Sequence, residues 1–440
     1  MTATGVRGVA DAVRRRVRLR TRLRRVREAW RHRFPARLPP WPDADQPSPA
    51  VPPPAVGPPV TGVAGGMVTV AAAAASPQGR QRYGRRQPAG RLHLNDRGWE
   101  ITRVPDGTTL VAGRVGEPID RRRSAVLAEL GTVTCDPASG PVWAQLLAQL
   151  AVTGVILHAP DPPAGLLAPE LIALLRALPP ATADPMAWEV RSIRQRRAAL
   201  RHHGAGLARP PAVSALLVTK RPQLVAGAVA ALAAQTYPEL EIVVGLHGVA
   251  PPPELPPGTR VVPISAERCL GEALAEATGA ATGELLTKVD DDDQYGPEHV
   301  WDLVLARHYS GATVVGKGAE FVYLEPKRLT VRRRMGAEFF TDTVAGGTMA
   351  LSREDLAGLG GWPAVPRSVD RALLDRVVAA GGTVYRTHPL GFVYIRHGDG
   401  HTWDPGLEYF LRDPVRKWRG LPPYDEFGEA CEPNRNRGGV

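Results

Sequence analysis

The sequence predicts an α/β fold with a mostly parallel central sheet. From Ala212 onward, apolar strands alternate with helical stretches, the arrangement that builds such sheets and places ligands at strand carboxyl ends. The apolar strand Glu284–Val289 runs directly into Asp290, Asp291, Asp292 and Asp293. Four carboxylates at a strand end repel one another unless water or a cation relieves them, and hard oxygen donors suit Mg²⁺ or Mn²⁺. A solvated acidic turn is the plainer reading of that run taken alone.

The chain has 440 residues, enough for two or three domains, which excludes a peptide or a disulfide-stapled miniature. Its net charge of +11 suggests a nucleic-acid binder until it is located. Residues 1–37 hold 13 arginines against Asp11 and Glu28, so the arm carries the whole excess and the remaining body is neutral. No aromatic platform interleaves the arm, which argues against nucleic acid as a partner. Only five lysines occur, so the arginine excess reads in part as genome composition rather than arginine chemistry. Cys135, Cys269 and Cys431 are far apart and form no metal or redox spacing, which fits a reducing, cytoplasmic compartment.

Five segments follow along the chain. Residues 1–34 form a basic arm with Val6, Val9, Val13 and Val17 at helical spacing and a displaced second stripe of Leu19, Leu23, Val26 and Trp30. Two readings stand: a peripheral anchor to the anionic inner membrane face, or a solvated basic tail. Residues 35–91 are a linker rich in Pro, Gly and Ala, extended where prolines cluster, and the uncharged stretch Val60–Ala75 is too short for a membrane span. Residues 92–208 predict a smaller accessory α/β region, with strands over Trp99–Val104, Thr109–Val115 and Gly154–His158 and helices over Val142–Val152 and Pro169–Leu178. Arg191–His203 reads as a basic helical connector; His202 and His203 point about 100° apart and lack a third metal ligand. Residues 209–411 carry the chemistry, and residues 412–440, polar with Pro and Gly, read as a mobile C-terminal tail.

Within the fourth segment, Val213–Val218 is a buried strand, the turn Thr219-Lys220-Arg221-Pro222 leads into a helix over Gln223–Gln235, and Glu241–Val244 and Arg260–Ile264 are the next strands. A helix over Cys269–Thr278 precedes the acidic loop. These features, with Gln235-Thr236-Tyr237-Pro238, Ala277-Thr278-Gly279, Ala281-Thr282-Gly283-Glu284 and Pro297, resemble the opening half of the family 2 glycosyltransferases of GT-A fold. Ala345-Gly346-Gly347-Thr348-Met349, Leu359-Gly360-Gly361-Trp362 and Val369-Asp370 with Leu373 and Arg376 resemble that family's acceptor-side segment and base helix. The resemblance covers residues 212–403, a little under half of the chain.

The resemblance implies a metal-dependent, inverting transfer of a sugar from a nucleotide-diphosphate sugar to an acceptor hydroxyl, with Mn²⁺ or Mg²⁺ as cofactor. Carried onto this sequence, Asp370 corresponds to the general base, Asp290 to the nucleotide-ribose and metal acid, and Asp292 to the direct metal ligand. Thr219, Arg221, His247 and Gly347 are the further candidates for holding the nucleotide, and His401, in Arg396–Trp403, is a candidate late metal ligand beside His397. Each has a plainer reading: Asp370 as a helix-start acid favoured by the macrodipole, His247 as a turn residue, His401 as part of a capped loop. Two departures from the family pattern, Val369 where an acid is expected and Gly245-Leu246-His247-Gly248 where an Asp usually follows the second strand, leave a second class open. That class is an inactive glycosyltransferase-like binding or scaffold protein.

Overall fold

The computed structural model describes residues 87–428, except 118, 181–182, 205–206, 208, 253–254 and 398–404. The basic arm, nearly all of the linker, Cys431 and His401 therefore lie outside the described residues.

The first module is a five-stranded sheet. Strands β1 (Gly90–Asn95), β2 (Gly98–Arg103) and β3 (Thr109–Gly113) form an antiparallel meander. After helix α1 (Arg121–Glu129), β4 (Thr132–Cys135) pairs parallel with β1, and after α2 (Gly140–Ala151), β5 (Ile156–His158) pairs parallel with β4. The sheet order is β3-β2-β1-β4-β5. Strand β1, helix α1 and strand β4 are elements the sequence reading lacked, and β5 starts two residues later than expected. Helices α3 (Pro169–Arg176) and α4 (Pro185–His203) complete the module.

Helix α4 corrects the expectation of a basic connector. It starts at Pro185, with the Asp184 side chain accepting from Met186 N, and buries Arg191, Arg196 and Arg197. One apolar cluster runs from Leu92 and Trp143 through Leu200 on α4 to Trp301, Tyr309 and Tyr385. The accessory region and the following segment thus share a core.

The main sheet has eight strands. Its parallel half is β6 (Val213–Thr219), β7 (Leu240–His247), β8 (Arg260–Ile264) and β9 (Leu285–Val289), connected through α5 (Pro222–Ala233) and α6 (Leu270–Ala280). After β10 (Gln294–Tyr295) and α7 (His299–Ser310), the sheet is extended by β11 (Val314–Gly316), β14 (Phe339–Thr341), β15 (Ala350–Ser352) and β16 (Val384–Arg386). The order is β14-β16-β11-β15-β9-β6-β7-β8, with β15 antiparallel to both β9 and β11. Every residue of β9 is buried, because it lies between β6 and β15. Helix α8 (Arg353–Gly358) leads toward α9 (Val369–Ala379).

A third sheet, β10-β17-β12-β13-β18, contains β12 (Phe321–Leu324), β13 (Leu329–Arg332), β17 (Phe392–Arg396) and β18 (Arg416–Arg419), with the short helix α10 (Leu407–Leu411) before its last strand. Strand β18 overturns the expectation that the mobile tail begins at 412. It pairs antiparallel with β13 across Thr330–Trp418, and Phe427 is fully buried against Phe321 at 4.8 Å between ring centroids. Among the described residues no helix is long and apolar enough to cross a membrane.

Candidate active site at the carboxyl ends of β6 and β9

The sheet geometry dictates which residues meet. Strands β6 and β9 are parallel neighbours, so Thr219 and the acidic loop after Val289 leave the sheet on the same side. Strand β15 runs the other way beside β9, so the segment entering it, the 3-10 turn Gly346–Thr348, lies at that same edge. Lys288 N donates to Met349 O at 2.9 Å and locks the two together.

Two adjacent glycines then bring two carboxylates close. A Cβ at Gly347 would stand 2.7 Å from Asp290 Oδ2 and 2.8 Å from the Tyr295 hydroxyl, and one at Gly346 would stand 2.5 Å from Asp370 Oδ2. No side chain fits at either position without moving a carboxylate. Tyr295 fixes the arrangement: its hydroxyl donates to Gly347 O at 2.8 Å and accepts from Asp290 N at 2.8 Å. Asp370 arrives on the first turn of α9, anchored by fully buried Val369 and entered through Ser368 in a left-handed conformation, φ 56°.

Each carboxylate of the acidic run has a different environment. Asp290 is ion-paired with the Lys288 ammonium, which projects from β9 two residues earlier and so on the same face. Burial works against the Lys288 charge, but Asp290 and Asp370 more than offset it and raise its pKa. Asp291 is held by the Thr219 hydroxyl and by Arg221, whose Nε donates to Oδ2 at 3.0 Å. Burial still leaves Asp291 above the usual carboxylate range. Asp292 receives Arg221 Nη1 at 2.8 Å and keeps a side-chain exposure of 17%. Asp293 accepts from Ile395 N at 3.0 Å, and desolvation together with the charges of Asp290 and Asp292 holds it well above its ordinary value.

The candidates from sequence therefore divide. Asp290, Gly347 and Asp370 converge on one edge, with Asp292, Thr219 and Arg221 linked to them through the loop. Thr219 and Arg221 serve the loop itself: Thr219 Oγ1 accepts from Arg221 N at 2.8 Å and donates a hydrogen bond to Asp291 Oδ2. His247 is a correction. It is the last residue of β7 and buried, with Nε2 2.8 Å from the Arg268 carbonyl, so its ring is spent on fixing the next loop rather than offered to a ligand. His397 pairs through Nδ1 with Glu325 Oε2 at 2.7 Å. Sequence reasoning passed over Lys288 and Tyr295, and it quoted Asp291 and Gly346 within motifs without giving either a role of its own. The signal for Lys288 was a lysine in an otherwise apolar strand, two residues before an acid and hence on its face.

A divalent cation is testable against this donor set. Among the described residues no three His, Cys, Asp or Glu side chains converge as a metal cage. Asp290 and Asp292 are partly exposed hard oxygen donors on one loop, which suits a cation held by one or two carboxylates, water and substrate phosphates rather than by an all-protein cage.

No family model and no curated protein matches the chain. Among solved structures it is similar to a mannosyltransferase from Pyrobaculum calidifontis in complex with GDP-Man and Mn²⁺, at 18% identity and a TM-score of 0.35 over 44% of this chain and 59% of that one. It is similar also to residues 1–349 of S. aureus TarS in complex with UDP-GlcNAc, at 14% identity and a TM-score of 0.33 over 43% of this chain and 60% of that one. The chain thus spans about three fifths of the length of either structure.

Proposed function

We propose that the chain is a glycosyltransferase of GT-A type, related to family 2, that moves a sugar from a nucleotide-diphosphate donor to an acceptor hydroxyl with inversion. The observation that carries this reading is the Gly346–Gly347 turn, which sets Asp370 and Asp290 on neighbouring glycines at the carboxyl end of the sheet. Two carboxylates so close to one another, one on the loop side and one on a helix start, can divide the tasks of holding a donor and accepting a proton.

In this reading Asp370 takes the acceptor proton, the freed oxygen attacks the anomeric carbon, and the nucleotide diphosphate leaves with the bonding pair. One displacement inverts the configuration. Asp290 and Asp292 would hold Mn²⁺ or Mg²⁺, which supplies positive charge to the diphosphate when bound. Lys288 orients Asp290 through their ion pair, and Tyr295 fixes the backbone from which Asp290 projects. Residues 1–34 would bind the anionic cytoplasmic face of a membrane.

The test is Asp370→Asn, which keeps size but cannot take the proton. Transfer from the best donor in a nucleotide-sugar screen with Mn²⁺ is expected to fall by ~10²-fold or more, with nucleotide affinity nearly unchanged. Retained turnover would remove Asp370 as base. Metal-dependent nucleotide binding with no turnover in the unaltered protein would instead favour the inactive binding protein.

A further inference from the structure

Away from this site, α4 presses two arginines into the interior of the protein. Arg196 and Arg197 are exposed by only 3% and 5%. Arg196 Nη1 donates to Glu338 Oε1 at 3.1 Å, and its guanidinium carbon lies 4.2 Å over the Tyr309 ring. Arg197 Nε donates to Asp302 Oδ1 at 3.0 Å. Both acids are already heavily used. Glu338 also accepts from the hydroxyls of Tyr309 at 3.1 Å and Tyr385 at 2.8 Å and from His388 N at 3.0 Å. Asp302 also receives Lys317 Nζ at 2.8 Å, and His388 Nε2 lies 3.3 Å from its Oδ1.

What remains is an excess of donors. Arg196 Nε, Arg196 Nη2 and Arg197 Nη2 are buried without a hydrogen-bond partner, as is His388 Nδ1. A small void of about 10 Å³ lies among Arg196, Arg197, Asp302, Leu305, Tyr309 and His388, sized for a single small occupant. The charges in contact with one another do not balance: four cations, Arg196, Arg197, Lys317 and Arg201, face three acids, Asp302, Glu338 and Glu298, the last of which is 3.8 Å from Arg197 Nε and paired with Arg201.

We propose that this void is a binding site for one monoatomic monovalent anion, a halide such as chloride, that joins α4 to α7 and to the segment after β16. A water molecule accepts two of the three guanidinium N–H groups and gives a proton to His388, but leaves the surplus positive charge buried. A halide accepts all three and cancels that charge, and an uncompensated buried charge is the costlier defect. The size of the void excludes sulfate and phosphate.

The experiment uses the full chain. Thermal unfolding at fixed ionic strength is followed as chloride or bromide replaces gluconate, with sulfate as the control. A melting temperature that rises by a few degrees and saturates with halide but not sulfate is expected, because a ligand of the native state stabilises by mass action. Crystals grown in bromide should show an anomalous peak between Arg196 and Arg197. Arg196→Gln should abolish the halide dependence, and if that variant does not fold, the bromide peak in the unaltered protein decides. A water without anomalous signal, a bromide peak with halide-independent melting (binding at crystal concentration only), or halide-dependent melting with bromide bound elsewhere would each overturn the proposal.

Discussion

Adding one methyl group to each of the two adjacent glycines should separate donor binding from catalysis. Neither Gly346 nor Gly347 has a left-handed backbone, so alanine costs nothing in φ and acts only through its Cβ. In Gly347→Ala the Cβ would lie 2.7 Å from Asp290 Oδ2 and 2.8 Å from Tyr295 OH, against an ordinary contact of about 3.4 Å or more. Asp290 or the turn must therefore move by roughly 0.7 Å, and the two hydrogen bonds of Tyr295 are strained. At about 1 kcal/mol per hydrogen bond the stability loss is at most ~2 kcal/mol, so the protein stays folded. In Gly346→Ala the clash falls on Asp370 Oδ2 at 2.5 Å and asks for a shift of roughly 0.9 Å. A displacement of that order at a reacting group costs on the order of 10²-fold in rate. Calorimetry with the nucleotide product and Mn²⁺, paired with a product-formation assay, should show Gly347→Ala weakening nucleotide binding and Gly346→Ala leaving it within about twofold while transfer collapses. Equal loss of nucleotide affinity in both variants would refute the division of labour between Asp290 and Asp370.

Asp292→Ala should weaken nucleotide binding in Mn²⁺ by ~10-fold or more and make it insensitive to chelator; calorimetry with and without chelator checks this. Lys288→Met should lower nucleotide affinity because Asp290 loses its ion pair, with Lys288→Arg recovering part of it in the same titration. Burial, helped by the Glu189 charge, outweighs the opposing Arg332 pair and raises the Glu320 carboxyl to about 7. The folded protein then binds more protons than the unfolded chain between the ordinary glutamate range and pH 7, so this group's contribution to stability falls as pH rises through that window. Glu320→Gln should flatten that fall, worth on the order of 3 kcal/mol at most, in urea melts at pH 5 and pH 8. Removing residues 1–34 should lower partitioning onto anionic vesicles in a sedimentation assay without changing transfer to a soluble acceptor.

Legibility in the sequence followed the range of the interactions. Asp290 and Asp292 stood out because a buried strand delivers the acidic run and periodicity marks its end locally, whereas Asp370 was singled out only through the family resemblance. Strand β8 matched its expected span, since its limits are set by flanking Pro-Gly and Ser-Ala turns. Helix α1 was hidden by the arginines of its first turn, although Asp120, which accepts from Arg123 N at 2.7 Å, was a readable cap. Strand β18 was hidden because an edge strand of four residues with alternating exposure looks like polar tail until β13 is beside it. The buried arginines of α4 were misjudged for a different reason. Their partners Glu338 and Asp302 lie more than a hundred residues away in sequence, and a composition rich in arginine had argued against reading any one of them as specific.

That same helix bears on how the chain can be cut or recombined. Glu189 on α4 holds Arg332 of β13 through two hydrogen bonds of 2.7 and 2.9 Å, while Arg196 and Arg197 look to Glu338 and Asp302. Severing the chain between His203 and Val213 would cut none of the helices or strands named above, yet pulling the pieces apart would strand unmatched charges and bare apolar surface on both. A protease nick there should therefore leave two fragments that travel as one particle. A chain beginning at Ala212 would inherit the acidic loop without the helix whose arginines pair with Asp302 and Glu338, so the two segments are expected to be exchanged between relatives together or not at all.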